Sequence, residues 1–287
     1  MRSSRAFNVR RCLVLFLCLT IVGCSATRLI YNQLDWGIVW YVNGFFELDD
    51  AQEDQLREMV ATNIEWHRRN QLPQYASLLR DVESDALADT LTYEKVDAYY
   101  TRIMVLSDEL IVKITPDMAT FLLTLRDDQI EDFIAGLQES NDELWDEYAG
   151  STPEKRLKNR KKRAIKGIER IMGNLNRDQK KIVGEYMSQM NDVTMDWMES
   201  RRQWQRDFRL LMLEKPPHDE FVRRLREELI DPNRGDNKNY RVLVEENRRK
   251  SYEMVVELSA DLSDKQRKRF AKRMADLAES LEILSTQ

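Results

Sequence analysis

Four times along the 287-residue chain, a leucine is followed four residues later by a glutamine, then by two apolar residues at further steps of four. The copies are Leu48…Gln52…Leu56…Val60, Leu125…Gln129…Phe133…Leu137, Leu175…Gln179…Val183…Met187 and Leu262…Gln266…Phe270…Met274. A step of four keeps side chains on one slowly drifting face of an α-helix, so each copy commits its last two apolar residues to the same side. It also sets where that helix begins. With Asp49, Asn176 or Ser263 as N-cap, the glutamine falls at the third helical position and closes a capping box; Arg126, at the same place in the second copy, is a poor cap. The first two copies lie 77 residues apart, the last two 87, with 50 between the pairs. Trp66 with Arg68-Arg69 is echoed by Trp197 with Arg201-Arg202, and Leu78-Leu79 by Leu210-Leu211. The chain therefore reads as an internal duplication, with halves over residues 48–150 and 151–287 that are either separate or share one core.

Nothing in the sequence competes with helices. Glycine (9) and proline (6) are scarce, a third of the residues are charged, and strand-like alternation of β-branched residues is missing. The expected fold is all-α: long antiparallel helices in a helical-hairpin bundle. Helix-start chemistry at Pro73, Thr92, Thr115-Pro116 and Ser151-Thr152-Pro153-Glu154, with loops at 215–220 and 231–239, predicts about nine helices.

The N-terminus has a different composition. Arg2, Arg5, Arg10 and Arg11 precede the apolar run Cys12–Val22, too short to span a bilayer and suited to a cleavable export signal over residues 1–23. Its end, Ile21-Val22-Gly23-Cys24, resembles the bacterial lipobox, with Val22 bulkier than usual. That resemblance implies diacylglyceryl transfer to the Cys24 thiol, cleavage before Cys24 and acylation of the new amino group. It also implies an outer-membrane address on the periplasmic face, because Ser25 stands where an inner-membrane retention signal has aspartate. A plain secretory signal with Cys24 incidental is the competing reading. Cys12 and Cys18 would leave with the signal, so no disulfide is available. A chain starting at Cys24 carries 41 basic and 50 acidic residues, net −9, which argues against nucleic acid as a partner.

Residues 24–47 form an aromatic segment beside the lipid site. Ile30, Leu34, Ile38, Tyr41 and Phe45 fall on one helical face with Trp36 and Trp40 beside them, fitting either an interfacial helix or one docked on the core. Arg28, Tyr31, Asn32, Asp35, Trp36, Leu48 and Gln52 resemble the start of an uncharacterised family of proteobacterial lipoproteins, which implies a lipoprotein with a helical body and supplies no activity. The repeated motif is similar to the leucine-threonine-x-x-glutamine signature of the Spy and CpxP family of periplasmic proteins, although Asp49, Arg126, Asn176 and Ser263 replace the threonine. That likeness implies a helical surface that binds unfolded or envelope proteins without ATP, with four copies in one chain corresponding to a fused dimer. A capping box followed by an amphipathic helix accounts for much of the same pattern.

Other residues bear on binding. Lys155, Arg156, Lys158, Arg160, Lys161, Lys162, Arg163 and Lys166 form a basic run that suits either an anionic surface or a solvated helix face balanced by the acids of 139–148. Trp145, Tyr148, Met187, Met190, Met195, Trp197, Met198 and Trp204 suit either an adaptable client surface or core. Catalytic patterns are missing: His67 and His218 are the only histidines, and no phosphate loop, nucleophile elbow or cysteine nucleophile is present. Asp49-Asp50 and Asp127-Asp128 sit at helix starts, where they favour the helix dipole. The expectation is a non-enzymatic, lipid-anchored binding protein with no metal and no cofactor beyond the lipid on Cys24. Its expected partners are the membrane and periplasmic or envelope proteins; the alternative is a scaffold subunit of an envelope assembly. Oligomeric state is not legible.

Overall fold

The computed structural model describes residues 24–231 and 238–287, so the export signal and Ile21, Val22 and Gly23 lie outside the described residues. Twelve α-helices and no strand occur among the described residues, and the chain is all-α. They are α1 (Cys24–Tyr31), α2 (Leu34–Phe46), α3 (Asp50–Asn70), α4 (Leu72–Ala88), α5 (Tyr93–Leu122), α6 (Asp127–Leu144), α7 (Pro153–Met172), α8 (Arg177–Gln189), α9 (Thr194–Glu214), α10 (His218–Ile230), α11 (Lys238–Ala260) and α12 (Asp264–Ser285). A five-residue π-turn, Trp145–Ala149, ends α6.

The count exceeds the expected nine because breaks arise where the sequence carries little punctuation. The aromatic segment divides at Asn32-Gln33, which turns its buried side from the expected Ile30 to Tyr31 and then to Val39 and Phe46. Thr115-Pro116, expected to start a helix, lies inside α5. Thr115 is fully buried and its hydroxyl donates to the Ile111 carbonyl, holding the turn together where proline brings no N–H.

Packing repeats along the chain. In the first half α2 lies against α3 and α6, and α3 against α5; in the second α7 lies against α8 and α12, and α8 against α11. Each set surrounds two of the four motif helices. The helix after each leading motif helix then crosses over. α4 runs antiparallel along α12, with Arg80 bidentate on Glu282 (3.1 and 3.0 Å) at one end and Arg267 on Asp89 (2.7 Å) at the other. α9 does the same along α6, with Arg201 on Asn141 (2.7 Å) at one end and Lys215 on Asp127 (2.9 Å) at the other. Asp89 and Lys215 are both left-handed C-caps (φ 55° and 44°), so the two crossovers end in the same conformation with their charges exchanged.

The boundary between residues 150 and 151 consequently does not divide the packing. The largest core joins Val39 and Phe46 (α2), Leu56 and Val60 (α3), and Phe133 and Leu137 (α6) to Phe208 and Leu211 (α9) and Phe221 and Leu225 (α10). Phe133 stacks on Phe46 (ring centroids 4.6 Å) and meets Phe208 edge-on (6.0 Å). A smaller core joins Leu175, Val183 and Met187 to Met254 and Leu258, with Ile165, Ile168 and Met172 of α7. A fragment of residues 24–150 lacks α9 and α10 and leaves the Phe133 side of α6 in water. It should be helical by circular dichroism without a cooperative urea transition; a sharp transition would count against the shared core.

Candidate functional site

The four motif glutamines meet in two pairs. Gln52 and Gln129 donate Nε2–H to each other's Oε1 at 3.1 and 2.8 Å; Gln179 and Gln266 do so at 3.0 and 2.8 Å. The second donor on each amide goes to a carbonyl just before the partner helix. Gln52 reaches Thr124 O (2.9 Å), Gln129 Glu47 O (3.2 Å), Gln179 Asp261 O (2.8 Å) and Gln266 Asn174 O (3.0 Å). Each Oε1 also accepts the N–H of its own cap, Asp49, Arg126, Asn176 or Ser263, at 2.9–3.1 Å. Every donor and acceptor of the four amides is thus used. Gln52, Gln129 and Gln179 are buried, and so are Leu125 and Leu175, while Leu48 and Leu262 are half-buried. Asp49, Asn176 and Ser263 complete capping boxes; Arg126 contributes its backbone only and turns its guanidinium to Asp128 (3.2 Å) and Asp49 (3.4 Å). Of the acid pairs, Asp49 caps α3, Asp128 pairs with Arg126 and Asp127 with Lys215, while Asp50 lies in the first turn of α3.

The basic run divides in two. Arg156 and Arg160 turn inward, Arg156 to Asp192 (2.7 Å) and the Ser151 carbonyl (2.6 Å), Arg160 to the Asn191 carbonyl (3.0 Å), and together they hold the α8–α9 connection. Lys161 is half-buried and Arg163 lies over the Tyr148 ring, 5.0 Å from its centroid. Lys155, Lys158, Lys162 and Lys166 recur at three, four and four on the exposed side of α7, and among the described residues no carboxylate pairs with them.

Of the aromatic and methionine positions only Met195 is exposed. Trp145, Tyr148, Trp197 and Met198 pack with Leu144 and Ala149, and Trp204 donates to the Glu228 carbonyl (3.1 Å). Elsewhere, aliphatic side chains reach solvent on two neighbouring helices. Met104, Val105 and Val112 on α5 are exposed, as are Val242 and Val244 on α11. Arg248 over the Tyr100 ring and Tyr252 between Tyr93 and Tyr100 place α11 antiparallel beside α5. The sequence signal for it was the apolar density of "RIMVLSDELIVKIT", residues 102–115, which helical periodicity alone does not divide into inner and outer faces.

His67 is buried under the aromatic segment. Its Nδ1 lies 2.8 Å from Tyr31 Oη, and desolvation lowers its pKa to about 4 while burial pushes Tyr31 up to about 12. His218 sits apart, 3.1 Å from Thr120 Oγ1. Among the described residues no group of three His, Cys, Asp or Glu side chains is placed to hold a metal, and no helix is long and apolar enough to cross a membrane. A shallow cleft of about 390 Å³ between α9 and α10 is lined by Asp207, Leu210, Glu220, Arg223, Arg224 and Glu227, whose Arg223–Glu220 (2.6 Å) and Arg223–Glu227 (2.7 Å) pairs satisfy one another.

The arrangement defines a class, an all-α protein whose helix starts are locked in pairs by reciprocal glutamine amides. A family of unknown function, DUF6279, matches residues 44–241, and the chain belongs to that family. The match takes in the first three motif copies. No curated protein and no solved structure matches the chain.

Replacing Gln129 with leucine strands the Arg126 N–H, the Glu47 carbonyl and half of the Gln52 amide. The expected loss in urea unfolding is about 2–4 kcal/mol. A Gln52/Gln129 double-mutant cycle should show coupling of about 1–3 kcal/mol, whereas Gln52 and Gln179 should be additive. For His67 the unfolded chain binds the extra proton between about pH 6.5 and 4, so its contribution is complete above the upper value and is lost as pH falls to the lower. Wild type should lose roughly 3 kcal/mol more across that window than His67→Gln, and equal slopes would refute the assignment.

Proposed function

We propose that the protein is a non-enzymatic, lipid-anchored lipoprotein facing the periplasm from the outer membrane, and that it binds unfolded or envelope proteins reversibly, as the Spy and CpxP family does. The observation that carries the binding half is the aliphatic surface on α5 and α11. Valine and methionine side chains at Met104, Val105, Val112, Val242 and Val244 stand in water on two adjacent helices, outside every core of the molecule. Scattered exposed apolar residues are ordinary; what favours a contact surface here is that Val105 and Val112, seven residues apart, share one exposed face of α5, with further exposed valines on the neighbouring α11. Methionine and aliphatic side chains accommodate varied sequences, and the α7 lysines add long-range attraction for acidic clients. No step of bond making enters the reading. The anchor half rests on the Ile21–Cys24 lipobox, and Cys24→Ala should release the chain from membranes.

The test of binding is aggregation suppression. The delipidated protein should slow aggregation of several unrelated unfolded proteins at near-stoichiometric ratios. Val105→Lys with Val112→Lys should weaken that effect several-fold while changing stability by only about 0.5 kcal/mol, as expected at exposed positions. No suppression at a several-fold excess of protein, together with one dominant partner in cross-linking from intact cells, would replace this reading with a scaffold.

A further inference from the structure

The helices that follow Cys24 leave no slack between an anchor and the body. Cys24 is itself the first residue of α1, and α1 docks at once: Tyr31 is buried against Leu72 and Leu284, its hydroxyl on His67, and Asn32 joins Gln287 (3.2 Å) and Arg68 (3.2 Å). α2 follows with Val39 and Phe46 in the main core. Both helices therefore belong to the rigid body through their inner sides. Their outer sides are largely apolar and aromatic, with Asp35 the exposed acid in the first turn of α2. Leu29 is 65 % exposed, Ile30 41 %, Trp36 60 % and Trp40 48 %, with the two indole rings stacked 6.1 Å apart and nearly parallel. Along the outer row of α2, Trp36, Gly37, Trp40 and Gly44, preceded by the N-cap Gln33, carry no charge, and the space over Gly37 is open.

We infer that this outer face of α1 and α2 seats in the headgroup layer of the bilayer entered by the lipid on Cys24, holding the body against the membrane in one orientation. The inference rests on the anchor reading above. Leu29 and Ile30 follow Cys24 by five and six residues of continuous helix, about 7–9 Å along its axis, so acyl chains in the bilayer bring them to its surface. Exposed tryptophans favour that depth, where the ring body meets acyl carbon and the indole N–H meets water and headgroups. The acyl chains supply the affinity and the aromatic face fixes the orientation. A free protein partner would have to compete with a bilayer that is already there.

The full-length lipidated protein, reconstituted in phosphatidylethanolamine–phosphatidylglycerol vesicles containing phosphatidylcholine brominated near the headgroup end of its acyl chains, reads this directly. Wild-type tryptophan emission should be quenched. Trp36→Phe with Trp40→Phe should float with the vesicles equally well and lose the quenchable component several-fold, because Trp66, Trp145, Trp197 and Trp204 belong to the body. Flotation of wild type without quenching, or quenching unchanged in the double variant, overturns the seating and leaves the anchor standing. Recovery of wild type in the soluble fraction overturns the anchor and the seating with it.

Discussion

A primary amide held between two helix starts must have both donors and both acceptors met, and the glutamine pairs meet half of them with the partner amide and half with backbone N–H and C=O groups at the helix starts. The Oε1 of Gln52 takes its own cap's N–H and its partner's donor; its Nε2 gives to its partner and to the carbonyl that leads into the partner helix. Glutamate at these positions would bring two carboxylates together without donors, and leucine would strand four polar atoms in each clasp. The pairing fixes the relative position of α3 and α6, and of α8 and α12. The remaining helices pack around those two fixed ends.

What the clasps organise is more interlocked than two hairpins side by side. α4 leaves the first set of helices to lie along α12, and α9 leaves the second to lie along α6. Each half completes the other as the arms of a swapped dimer do, here within one chain. The ion pairs at the crossover ends, Asp89 with Arg267 and Lys215 with Asp127, each leave the carboxylate exposed and so add little stability, but their reversed charges favour each crossover over the wrong one. α11 of the second half also lies beside α5, so the exposed aliphatic residues of these two neighbouring helices come from positions more than a hundred apart.

An anchor joined to a rigid body differs physically from one on a flexible linker. A linker samples orientations and makes every face of the protein available; α1 and α2, docked through Tyr31, Val39 and Phe46, pass any membrane attachment straight into the orientation of the helical body. Of the two readings of the aromatic segment, docked helix and interfacial helix, the packing shows the first, through Tyr31, Val39 and Phe46, and the second is carried only by the seating proposed above.

Much of this was written locally in the chain. The all-α class follows from scarce glycine and proline and from steps of four; the helix starts at Asp49, Asn176 and Ser263 follow from capping chemistry, which involves residues three apart. Even the pairing of the copies is foreshadowed by spacings of 77 and 87 residues. Other features depend on neighbours distant in sequence. Thr115-Pro116 looks like a helix start but stays inside α5, because burial keeps the Thr115 hydroxyl on the Ile111 carbonyl. Arg156 and Arg160 look like their neighbours Lys158 and Lys162 until the α8–α9 connection turns them inward. The capping boxes did not reveal that each glutamine's amide would give one N–H to another glutamine and the other to a distant carbonyl, nor did the apolar run of α5 reveal which side would face water. Local hydrogen bonding is encoded within a turn of helix. The choice among equally apolar faces is made only when helices from opposite ends of the chain compete for the same core.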